Sequence, residues 1–177
     1  MQPSNVDEPI EIVDYDPMWP EVFGAEAAKL RARLRGLAVG IEHIGSSAVP
    51  GLRGKPILDI MLGVESEYLD EGLLRPMLDE YESLGESGIA GRLYFRKRRP
   101  SAVNLHAVVY HGQYWADNVL LREYLCTYPD VAQRYGWVKD EIVGRGMTTL
   151  LAYSQAKHIV MVELLDRARA WRAQQDS

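Results

Sequence analysis

The chain has 177 residues, 47% of them hydrophobic and 25% charged, which is the make-up of one globular domain over residues 1–177 with enough apolar side chains for a substantial core. Its net charge of −5 removes any electrostatic basis for tight nucleic-acid binding and points to a small-molecule substrate. The single cysteine, Cys126, cannot close an internal disulfide. With no apolar leader in MQPSNVDEP and no apolar run long enough to cross a bilayer, a cytoplasmic protein without a membrane partner is expected.

Residues 1–8 are polar and are expected to be loose, and Ile10, Ile12 and Val13 form a short edge strand. Asp16 before Pro17 is a helix-start signal, and Trp19, Val22, Phe23, Ala27, Leu30 and Leu34 recur at helical spacing until Gly36. Strands over 37–44 and 56–64 follow, the second apolar on both faces as a central strand would be. The spacing of Leu69, Leu73, Leu74, Met77, Leu78 and Tyr81 predicts a helix over 67–84 with a defect at Pro76. Runs 93–98 and 103–110 read as a hairpin turning at 99–102, with Arg92, Arg96 and Arg98 on a solvated face. Helices over 115–126, 130–143 and 150–173 close the chain, Cys126 being a half-buried thiol in the first. Strands interleaved with helices and then helices alone make an α+β fold with a mixed sheet and a helical last third.

The stretch IEHIGSSAVPGLRGKPILDIMLGV, residues 41–64, carries the chemistry. A loop holding Gly45, Ser46, Ser47 and Gly54 between two apolar strands exposes backbone N–H groups and hydroxyls to an anion, and Arg53 and Lys55 add charge beside it. Asp59 lies within an apolar strand, where a carboxylate must be paired, hydrogen-bonded or metal-bound. Glu42, His43 and His106 are the nearby candidate partners. Each histidine either ligates a metal with Asp59 or hydrogen-bonds a backbone group or the Asp59 carboxylate. Tyr153 and Lys157, one helical turn apart, read as a structural pair first and a ligand contact second.

Together with IEIVDYDPMWPEVF, NLHAVV, LLREYLCTYPDVAQRY and YSQAKHIVMVELL, the motif EHIGSSAVPGLRGKPILDI resembles the GrpB family, whose fold is of the nucleotidyltransferase type of the DNA polymerase beta superfamily. The resemblance implies a mixed sheet of the minimal nucleotidyltransferase kind covered by helices, with the NLHAVV strand beside the strand of Asp59. It implies a nucleoside triphosphate or other phosphorylated ligand on Gly45, Ser46, Ser47, Arg53 and Lys55. In that superfamily paired carboxylates hold a divalent metal, Mg²⁺ or Mn²⁺; here Glu42, His43 and His106 are the replacement ligands beside Asp59, a set that suits Mn²⁺ or Zn²⁺ better than Mg²⁺, and a transferase would use Asp59 and His106 to move a nucleotidyl group to a small acceptor. Where the superfamily repeats a carboxylate two residues after the first, this chain has Met61, a poor ligand for a hard ion. A phosphate-binding module without catalysis, and another reaction in the same pocket, are the alternatives.

Overall fold

The computed structural model describes residues 7–175; of the segment expected to be loose, residues 1–6 lie outside the described residues. Helix α1 is Trp19–Leu34, and Asp16 Oδ1 accepts the Met18 N–H at 2.9 Å just before it. The helix stops where Arg35 and Gly36 take positive φ, a C-terminal turn that glycine tolerates without strain. Strand β1 (Gly40–Ile44) leads through a 3₁₀ turn at Ser46–Ala48 into strand β2 (Leu58–Val64), and after short turns come β3 (Glu82–Ser83), β4 (Arg92–Lys97) and β5 (Val103–Val109). The helical last third is α3 (Gln113–Thr127), α4 (Pro129–Gly144) and α5 (Leu150–Gln175), and the one-turn helix α2 (Glu71–Leu74) precedes β3.

The five strands lie in the order β1-β2-β5-β4-β3, with β2 and β5 parallel and every other pair antiparallel. Period-two alternation then sorts the side chains. Ile41, Ile60, Leu62, Leu105 and Phe95 face the core under α1, together with Leu30, Leu34, Leu74 and Leu78. On the opposite face, Ile44 pairs Asp59 and Asp59 pairs Asn104, while Glu42 pairs Met61 and Met61 pairs His106. That face is covered by the last three helices, where Trp115 packs on Ile44, Met61 and Val108, and Val49 and Leu52 pack among Leu121, Leu125 and Leu164.

Four expectations are corrected. Residues 67–84 are not a helix: a 3₁₀ turn at Ser66–Tyr68, α2, a second 3₁₀ turn at Arg75–Leu78 and β3 replace it. Pro76, which has no N–H to give, falls in the second turn. Leu74, Leu78 and Tyr81 still reach the core, so their spacing reflects burial without a continuous helix. Residues 10–13 form no strand; Pro9 and Val13 make isolated bridges to Thr149 and Gly54. The arginines of β4 are not solvated: Arg92 is buried and donates to the Glu86 and Ser87 carbonyls, and Arg96 pairs with Glu82. Cys126 is exposed. Among the described residues no helix is long and apolar enough to cross a membrane.

Candidate functional site

A cavity of about 600 Å³, including the space open at its mouth, lies between the loop after β1, strand β2 and helices α3, α4 and α5. Gly45, Ser46 and Ser47, then Lys55 and Ile57, form one side, and Asp59 is at its base. Asn118, Leu121, Arg122 and Leu125 come from α3, Tyr135 from α4, and Tyr153, Lys157 and Met161 from α5.

Gly45 turns the chain at φ 69° and ψ −167°, a region essentially confined to glycine. A Cβ there would stand 2.6 Å from Asp59 Oδ2, so the loop and the carboxylate are in close contact. The two hydroxyls that follow are anchored from opposite sides. Ser47 Oγ lies 2.9 Å from His43 Nε2, and the His43 ring stacks on Phe23 of α1. Burial lowers the His43 pKa to about 4, against the pull of Asp59, so the ring is neutral. Ser46 Oγ accepts from Lys139 Nζ of α4 at 2.8 Å, which leaves its own O–H to donate elsewhere. Lys139 also donates to the Arg53 carbonyl and lies over the Tyr135 ring.

Asp59 has its explanation in β5. Asn104 Nδ2 donates to Asp59 Oδ1 at 2.9 Å, and His106 Nε2 lies 3.4 Å from the same oxygen. Burial alone would raise this carboxyl, but the His106 and Asn104 hydrogen bonds and the charge of Lys55 hold it well below the usual carboxylate range. Burial depresses His106, so the neutral ring with hydrogen on Nε2 satisfies the geometry: it donates to Asp59, and Nδ1 faces Arg92 Nη1 and the Tyr114 hydroxyl, each at 3.4 Å. Asn104 Oδ1 accepts in turn from Tyr94 and Arg98. Asp59 is thus an ionised, oriented carboxylate with 24% of its side chain exposed.

Lys55 and Lys157 line the cavity, and neither makes a hydrogen bond or ion pair with another described residue. Burial pushes Lys55 down to about 8, and lowers Lys157 as well; in both cases Asp59 opposes the shift. Lys157 lies over the Tyr153 ring at 5.3 Å.

The structure therefore brings Gly45, Ser46, Ser47, Lys55, Asp59 and His106 together and leaves three expected residues elsewhere. Arg53 turns outward to Asp14 at 2.7 Å and Asp140 at 3.2 Å. His43 sits on the α1 face of the sheet, because residue 43 alternates with 42 and 44. Glu42 accepts from Arg122 Nη1 at 2.6 Å. A divalent metal does not fit what remains. Asp59 is the cavity's one carboxylate among the described residues, His106 Nε2 is turned to it, and no group of three or more His, Cys, Asp or Glu is placed to hold an ion. Lys139 and Arg122 were not anticipated. Lys139 had a signal, since it falls on the buried stripe of Ala132, Tyr135, Gly136 and Ile142, where a cation needs a partner.

A family model described as GrpB protein matches residues 9–167. A UPF0157 protein of Pseudomonas aeruginosa is 37% identical over 172 residues, covering 94% of this chain and 71% of the relative. A dephospho-CoA kinase of Mycobacterium tuberculosis is 26% identical over 192 residues, and the chain spans 47% of that protein's length. The crystal structure of conserved protein GrpB from Enterococcus faecalis superposes with a TM-score of 0.80 at 30% identity, covering 91% of this chain and 99% of that one.

Proposed function

This chain belongs to the GrpB family, and from that premise we propose that it binds a phosphorylated small molecule of the nucleotide class in the cavity beneath α3–α5. The observation that carries the reading is the pair of lysines, Lys55 and Lys157, that face a Gly-Ser loop in a partly closed cavity and make no hydrogen bond or ion pair with another described residue. Two half-buried cations that share one carboxylate, Asp59, are incompletely compensated, and a phosphate group supplies the charge and the acceptor oxygens they lack. Ser46 donates its O–H to a phosphate oxygen. Asp59, whose Oδ1 is occupied by Asn104 and His106, offers Oδ2 to a hydroxyl of the ligand. Leu121, Leu125 and Met161 cover the apolar part of the molecule.

In this reading residues 1–177 act as one unit of the nucleotidyltransferase type. The loop after β1, Asp59 on β2 and the parallel neighbour β5 support that assignment. The name of the mycobacterial relative supports a nucleotide-related ligand. Transfer of a nucleotidyl group to a small acceptor is the enzymatic form of the proposal; binding without transfer is favoured by Met61, buried two residues beyond Asp59. A thermal-shift panel of nucleotides and sugar phosphates tests the reading. A true ligand at about 100 times its Kd adds about 2.7 kcal/mol to the unfolding free energy. No shift with any phosphorylated compound would overturn it.

A further inference from the structure

We propose that this cavity neutralises its phosphate with lysine ammonium groups, without a divalent ion, and that the form it selects is a phosphomonoester dianion. The inference rests on the phosphate reading of the cavity and adds the charge and the metal dependence. Three lysines from three separate segments converge on the loop. Lys55 precedes Pro56 in the strand connection, Lys139 reaches Ser46 Oγ at 2.8 Å from α4, and Lys157 comes from α5. Lys55 and Lys157 line the cavity while Lys139 lies fully buried behind Ser46; Arg122, also in the lining, is matched by Glu42, so among the described lining residues one carboxylate, Asp59, is set against the three lysines. With the lysines protonated, two positive charges are left unmatched, which is the charge of a phosphomonoester dianion.

A cation in the same space would meet the opposite arrangement. It would be repelled by Lys55 and Lys157 and find a single carboxylate among the described lining residues, where hard divalent ions collect several charged oxygens. The lysine positions are built into the fold. Gly54, beside Lys55, is packed so closely that a Cβ would fall 2.7 Å from Ser46 Cβ. That contact holds Lys55 and the serine loop together. Lys139 is fixed by two acceptors and the Tyr135 ring, and Lys157 rests on Tyr153. An ammonium set held this way is oriented before the ligand arrives, so phosphate binding needs no metal to organise it.

Calorimetric titration of the full chain with adenosine 5′-monophosphate, ribose 5-phosphate and inorganic phosphate, in EDTA and in excess Mg²⁺, tests this. The expected result is binding of at least one probe in EDTA with an affinity within about twofold of that in Mg²⁺. Lys157→Gln and Lys55→Gln should each weaken it by about tenfold, and Lys157→Arg should keep most of it. Circular dichroism on each variant establishes that it is folded. Binding seen only with Mg²⁺, or affinity unchanged in both glutamine variants, overturns the lysine assignment while leaving a phosphate cavity standing. No binding of any probe in either condition overturns the cavity reading itself, and this inference with it.

Discussion

At the scale of single residues, Gly45 and Asp59 are one device. The positive φ at Gly45 and its contact with Asp59 Oδ2 leave no space for a side chain, so Gly45→Ala must shift both the loop and the carboxylate. The expected cost is about 1–3 kcal/mol in chemical denaturation, with loss of phosphate binding. Gly24 in α1 is the control: it has ordinary φ and open space around it, so Gly24→Ala should be neutral or stabilising by about 0.5–1 kcal/mol. The lysines give the site a pH dependence whose sign follows from burial. Lys139 is held at about 7 by burial and by Lys157 and Lys55, against Asp140 and Asp59. Lys55 is held at about 8 by burial, with Lys157 and Arg98 pushing down and Asp59 and Glu8 pushing up. A phosphate monoester stays dianionic above its second pKa of about 6, so its affinity should fall as both lysines lose their protons between about pH 7 and pH 9. Stability runs the other way for Lys55. Between about 8 and the ordinary 10.5 the fold binds fewer protons than the unfolded chain, so this group's contribution to unfolding free energy rises with pH. Calorimetry and urea titration of wild type against Lys55→Met, at matched pH values, separate the two trends. Equal affinity across the range would remove the lysines from the ligand.

At the scale of elements, the position of α5 matters most, because it delivers Tyr153, Lys157 and Met161 to the cavity. Its first turn is held by the segment before α1. Leu151 N–H donates to Asp7 Oδ1 at 2.9 Å, Leu150 N–H to the Glu8 carbonyl at 2.8 Å, and Ile10 N–H to the Thr148 carbonyl at 2.9 Å. Glu8 in turn pairs with Arg98, which donates to Asn104 at 3.1 Å, so the same segment reaches the Asp59 network. Replacing Asp7 by alanine removes a helix-start acceptor and should cost about 1 kcal/mol. Hydrogen exchange should quicken at residues 150–153 and stay unchanged in β2 and β5. Unchanged exchange in that turn would show that the strap does not hold α5.

At the scale of the whole molecule, a buried ion group ties α1 to β4 on the side away from the cavity. Lys97 Nζ and the Tyr81 hydroxyl both donate to Glu26 Oε1, with 2% of the Lys97 side chain and 6% of the Glu26 side chain exposed. Burial would raise the Glu26 carboxyl, but Lys97 and Tyr81 hold it below its usual value. Removing the Glu26 charge leaves the buried Lys97 only the half-exposed Glu80 carboxylate at 3.5 Å, so Glu26→Gln should cost about 3 kcal/mol, and the paired change Glu26→Leu with Lys97→Met should cost much less. A double-mutant cycle by denaturation measures the difference, and equal costs for the single and double variants would show that burial of charge is not the cause. Neither change should alter phosphate affinity, since the group lies on the opposite face of the sheet from Asp59.

Much of the architecture is written in local pattern. The Val, Leu, Phe and Tyr enrichment in 93–98 and 103–110, the apolar run 56–64 and the helical spacing of the last third are signals that neighbouring residues carry among themselves, and β4, β5, β2 and α3–α5 appear where they point. The Gly-Ser loop and a carboxylate in an apolar strand are legible for the same reason, because each breaks its immediate surroundings. The stretch 67–84 misleads because apolar residues reaching one core can be spaced like a helix while Pro76 and short turns shape the backbone. Sequence spacing also cannot say that Arg53 turns to Asp14 and Asp140, that Arg122 takes Glu42, or that Lys139 and Lys157 arrive beside Ser46 and Lys55. Those outcomes depend on strand register and on how helices dock, which bring together groups far apart in the chain. The sequence by itself determined most of the elements and the loop, since backbone preference is local. Only the tertiary structure decided which charges meet in the cavity, since side-chain convergence is a property of packing.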